Sequence, residues 1–190
     1  MSLILINIYL FILALNLAIL EIQIEGKHGW AENLPTWRPA KDTWVQKIFA
    51  RINFGKQLTG YFLAINCFVL LTLHLPFIFG LSLNFSNWLK IISLWLVFVN
   101  VWDLLWFVLN PNFGLGRFKK EFVPWHKIWF LGLPADYWAG ISLSFLALTP
   151  YLYFTQSFDL VLWWLTNFAV FIFEILVVII FAQIFLHRSK

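Results

Sequence analysis

The chain has 190 residues, 62% of them hydrophobic and only 12% charged, with 22 Phe, 12 Trp and a net charge of +4. A soluble domain carries roughly 45–50% apolar and about 25% charged residues. The composition therefore excludes an ordinary soluble domain, a disordered chain and a disulfide scaffold, since the single Cys67 has no intrachain partner. What remains is an all-α polytopic membrane helix bundle, one integral membrane domain over residues 1–190.

Residues 3–20 are the first apolar run. No basic segment precedes them and no small-residue cleavage site follows, so they are expected to stay as a membrane helix rather than leave as a signal peptide. The loop 21–58 comes next. Within it, residues 42–54 (DTWVQKIFARINF) place Trp44, Val45, Ile48, Phe49 and Ile52 at helical spacing, with Lys47 and Arg51 on another face. This pattern predicts an amphipathic helix lying in the membrane interface. Residues 59–79 and 88–110 form the second and third spans. Pro111, Gly114 and Gly116 then stop the helix.

The loop 111–135 is too aromatic for a solvated connector. It is expected to lie against the bilayer as a lid or floor for a site at headgroup level. Residues 136–155 and 159–186 are the fourth and fifth spans, and Asp136, just after Pro134, sits where an N-cap is expected. Each run approaches the roughly 20 residues that cross about 30 Å of hydrocarbon as a helix.

With five spans, the loops 21–58 and 111–135 and the C-terminal tail share one side. That side holds twelve Lys and Arg residues, and the other holds only Lys90. The partition predicts an integral membrane protein with its N-terminus outside, its C-terminus inside and its basic loops on the cytoplasmic face. Trp30, Trp37, Trp125 and Trp129 join Trp44 and Trp138 in an interfacial belt on that side. The basic residues border apolar spans instead of forming one soluble block. Their expected partners are the bilayer and its anionic headgroups, not nucleic acid.

Polar residues at membrane depth need a reason. Glu21 and Glu25 lie four apart at the C-terminal end of the first helix, where they repel each other and oppose the helix dipole. A Lys or Arg from another loop, a metal ion or a cationic substrate group would compensate. Glu25 and His28 have a spacing used in carboxylate metal helices, so a divalent metal on Glu25 and His28 is one expectation. Asp103 lies inside the third span, on one face with Asn100 and Asn110. Glu174 lies at a matching depth in the fifth. An intramembrane acid is a functional candidate by default; these two either form an acid pair or, in the favoured reading, each hydrogen-bond separately to Asn, Ser or Trp of a neighbouring helix. His126 lies on the same side as His28 and offers an acid–base group.

No phosphate-binding loop, dinucleotide fingerprint, zinc-protease helix or nucleophile elbow occurs in the chain. Two stretches nonetheless look motif-like, EGKHGWAENLPTW from Glu25 and WDLLWFVLNP from Trp102. The favoured reading is a polar site at the cytoplasmic headgroup level of an enzyme or binder for a lipid or other amphiphilic substrate. Glu21, Glu25, His28, Glu32 and His126 would line it, with Asp103 beneath and Trp30, Trp37, Trp125 and Trp129 around it. A carboxylate or His would act as base. The alternative is a noncatalytic subunit or scaffold packed against a partner membrane protein.

Overall fold

The computed structural model describes residues 3–185. The last residue of the predicted fifth span and the tail residues Arg188 and Lys190 lie outside them. Seven helices follow in order: α1 (Leu3–Glu25), α2 (Trp44–Ile52), α3 (Gly60–Ile78), α4 (Phe85–Leu109), α5 (Ala135–Leu146), α6 (Thr149–Thr155) and α7 (Asp159–Phe185). Four of them, α1, α3, α4 and α7, are long and apolar enough to cross a membrane. Their bounds follow the predicted runs closely, with two corrections.

The first helix does not stop at residue 20 but runs to Glu25, so Glu21 and Glu25 are its last turn. Gly26 ends it with φ +62 and donates its N–H back to the Ile22 carbonyl at 2.8 Å. Only glycine takes that left-handed position cheaply. The run 136–155 is not one helix but two, α5 and α6, joined by a turn at Ala147 and Leu148. Pro150 opens α6. It has no N–H to continue a helix and suits a first turn.

Helix α4 is central. It packs against α1, α5 and α7, and α3 leans on it more lightly. Phe98, Leu105 and Phe107 of α4 are fully buried. The helices approach through small residues, a rule of membrane bundles, where lipid offers no hydrophobic contrast. Ala14 and Ala18 of α1 are wholly enclosed. Gly140 of α5 has the Asn100 side chain where a Cβ would stand. Asn100 Nδ2 donates to the Tyr137 carbonyl at 3.0 Å, and buried Asn7 donates to Asn167 at 2.7 Å, tying α1 to α7.

One end of the bundle gathers the longer connections. Asn110, the C-cap of α4, donates to the Gly26 carbonyl at 2.8 Å, which brings the ends of α1 and α4 together. Trp30 Nε1 donates to the Gln57 carbonyl at 2.7 Å and Gly60 N to the Trp37 carbonyl at 2.8 Å, docking the 26–39 loop on the start of α3. Helix α2 is capped by Thr43 and anchored by buried Gln46, which donates to the Lys56 carbonyl and accepts from Leu58 N. Its Trp44, Ile48 and Ile52 point outward, Trp44 with 72% of its surface exposed.

The aromatic loop folds back under α4. Phe113, Phe118 and Trp125 pack on Trp106 and Phe107, and Trp129 meets Phe118 edge-on. A two-stranded ladder, β1 (Trp129–Phe130) with β2 (Leu133–Pro134), leads into α5.

Candidate functional site

At this end a cleft opens between α1, α3 and α4. It holds about 570 Å³ of atom-free space, its mouth included. Glu21 and Glu25 reach it from α1, and Asp103 from α4. Trp30, Trp102, Trp106, Trp125, Tyr61 and Phe62 form aromatic walls, and Ile65 and Val99 an apolar floor deeper along the helices.

The loop after α1 is built to hold one wall. Trp30 and Ala31 both adopt left-handed backbone, at φ 56 and 54. Non-glycine residues held there cost of order 1–3 kcal/mol each. The strain aims the Ala31 N–H at Glu25 Oε1, 2.5 Å away. Arg38 fixes the turn from outside by donating to the carbonyls of Ala31, Glu32, Leu34 and Thr36. Gly29 lies flat against the Trp125 ring, with no room for a Cβ.

Behind the cleft, Asp103 joins a second set of groups. Tyr137 donates its hydroxyl to Asp103 Oδ2 at 2.5 Å. His126 Nε2 lies 3.3 Å from the same oxygen. His126 Nδ1 meets Asp136 at 3.0 Å, and Lys56 Nζ meets Asp136 Oδ2 at 2.5 Å. The order is thus Lys56, Asp136, His126, Asp103, cleft. Lys56 is 7% and His126 2% exposed. Lys56 Nζ also sits 4.4 Å above the Trp30 ring, a cation–π contact.

Burial alone would hold the His126 pKa down, but the flanking carboxylates Asp103 and Asp136 prevail and raise it above the ordinary value, against a smaller opposing effect of Lys56. A raised folded-state pKa stabilises the fold below the unfolded value of about 6.5, and that gain disappears as pH rises through the folded value. The thermal midpoint in detergent is accordingly expected to fall above about pH 6.5, and His126→Gln to flatten that slope. An equal slope in the variant would remove His126 from the account.

The cleft brings together some of the predicted residues and leaves others out. Glu21, Glu25 and Asp103 share it, and His126 stands one contact behind. His28 and Glu32 do not line it: they pair with each other at 3.3 Å, with Glu32 well exposed. Glu25 and His28 thus face different partners, and no group of three His, Cys, Asp or Glu residues suited to a metal occurs among the described residues. Trp30 and Trp125 are in the walls. Trp37 is exposed, and Trp129 Nε1 supports the His126 carbonyl.

Asp103 and Glu174 share no hydrogen bond among the described residues. Asp103 is engaged by Tyr137 and His126, whereas Glu174 Oε2 is buried without a hydrogen-bond partner. Asp136 is not an N-cap; Pro134 holds that position, and Asp136 in the first turn holds Lys56 and His126.

Sequence reasoning missed Lys56, Tyr61, Trp102, Trp106 and Tyr137. The signal for two of them was present. The two motif-like stretches supply much of the cleft, Glu25, Gly29, Trp30 and Ala31 from one and Trp102, Asp103 and Trp106 from the other. No protein-family model, curated protein or solved structure matches the chain.

Proposed function

We propose that this is an integral membrane protein that takes an amphiphile into the cleft, its polar head among Glu21, Glu25 and Asp103 and its chain over Ile65 and Val99. The observation that carries the reading is the convergence of three carboxylates and an apolar floor in one cleft. A scaffold would instead turn its acids outward on separate faces. Of the acids within the long apolar helices, Glu174 is placed apart from Glu21, Glu25 and Asp103, and it favours a partner contact.

In this reading five spans cross the bilayer, with α5 and α6 together as a broken fourth. The basic loops face the cytoplasm, and α2 lies in the interface with Trp44, Ile48 and Ile52 in the acyl region. Asp103 is the proton-handling group. It is the one carboxylate that both faces the cleft and touches His126, and Asp136 orients His126 from behind.

Photolabelling tests the proposal. In lipid nanodiscs, a diazirine-bearing single-chain amphiphile is expected to mark Phe62, Ile65 and Val99, and an excess of the unlabelled compound to suppress those adducts. Adducts confined to outward residues of α3 and α7, insensitive to competitor, would contradict it.

A further inference from the structure

The two α1 carboxylates have no cationic partner. Among the described residues, every ion pair of a Lys or Arg is accounted for by Lys56 with Asp136, and neither Glu21 nor Glu25 takes part in any ion pair. The expected compensation by a Lys or Arg from another loop is therefore not made. Lys56 and Asp136 offset each other, and a protonated His126 offsets Asp103. Among the described residues, Glu21 and Glu25 face the cleft without a countercharge, Glu25 accepting the Ala31 N–H.

The walls add a second, independent feature. Trp102 and Trp106 line the cleft while only 5% and 3% exposed. The Trp106 indole N–H is buried without an acceptor. The Tyr61 hydroxyl and the Trp102 indole N–H face Glu21 as donors. Buried donors without acceptors are rare and ask for a partner.

We infer that the cleft recognises an ammonium headgroup on an amphiphile. An organic cation among aromatic faces is held by their ring quadrupoles, more strongly when desolvated, and carboxylates beside such a cage add charge complementarity. Trp30 already presents one face to an ammonium, that of Lys56. The three carboxylates line one cleft, and among the described residues no group of three His, Cys, Asp or Glu is spaced to hold a metal ion. The Trp106 N–H, buried without an acceptor, suits an oxygen next to the nitrogen, as in an amino alcohol or its ester. This inference rests on the proposed amphiphile site and names the chemistry of its ligand.

The test is competition against the photolabel by octylammonium, octanol and ethylammonium, with the full-length protein in a nonionic detergent. Octylammonium is expected to compete roughly tenfold or more better than octanol. Glu25→Gln, which keeps the shape of the side chain, is expected to weaken octylammonium far more than octanol and so to erase most of that preference. Equal competition by octylammonium and octanol would overturn the ammonium inference and leave the amphiphile site standing. Competition by ethylammonium as strong as by octylammonium would make the ligand a soluble amine and overturn its amphiphilic part. Failure of all three, beside unsuppressed labelling, would remove both readings. The wild-type comparison needs no variant, so a misfolded Glu25→Gln protein does not block the result.

Discussion

Lys56→Met is expected to lower the stability of the folded bundle by about 3–5 kcal/mol, the cost of breaking a buried ion pair from one side. The magnitude follows from where the pair sits. Lys56 is nearly enclosed, its Nζ is 2.5 Å from Asp136, and it covers the Trp30 ring. Without it, Asp136 keeps its charge with only His126 to answer it. A surface pair would cost at most about 1 kcal/mol, so the size of the loss reports the burial directly. Adding Asp136→Asn is expected to recover part of the loss, because the amide oxygen still accepts from His126 Nδ1 while the unpaired charge is gone. Chemical unfolding in mixed micelles reads both variants. A loss under about 1 kcal/mol for Lys56→Met would mean that this end of the bundle is open to water.

Asp103 separates support of the fold from chemistry in the cleft. Asp103→Ala leaves the Tyr137 hydroxyl and His126 Nε2 facing an empty space. An orphaned buried polar group costs about 1–3 kcal/mol, and Tyr137 and His126 are both buried. Asp103→Asn keeps an acceptor for Tyr137 and is expected to stay within about 1 kcal/mol of wild type, the worth of one ordinary hydrogen bond. It nevertheless removes the charge that faces the ligand. The account therefore predicts a stable Asp103→Asn protein with weakened amphiphile labelling, beside a destabilised Asp103→Ala protein. Equal labelling by wild type and Asp103→Asn would confine Asp103 to a structural role.

Much of the scaffold was legible because membrane spans declare themselves through length and apolarity alone. The four long helices follow the predicted runs. The end of α1 was misjudged because Glu21 and Glu25 look like the start of a polar loop. The helix continues because Gly26, not the first acid, supplies the stop. The break in 136–155 was legible in principle, since Pro150 marks a helix start as readily as it interrupts one.

The site was legible in part. Glu21, Glu25 and Asp103 stood out because acids at membrane depth are costly. Lys56 and Asp136 did not. One was counted among the basic loop residues and the other suited a helix cap, and only their separation of 2.5 Å in the fold reveals the pair. Depth alone did not decide the partners of Asp103 and Glu174, because rotation about each helix axis decides which neighbours they meet. Trp102 and Trp106 looked like ordinary packing residues. That the Trp106 N–H lacks an acceptor is a property of three-dimensional surroundings and leaves no mark in the sequence.

The most direct measurement is a crystal structure grown from a lipidic mesophase containing octyltrimethylammonium. The account predicts density for a compact head between Glu25 and the Trp106 ring, with a tail running past Ile65 and Val99. A cleft filled by Lys or Arg side chains against Glu21 and Glu25, or closed by α3 moving onto α1, would contradict it.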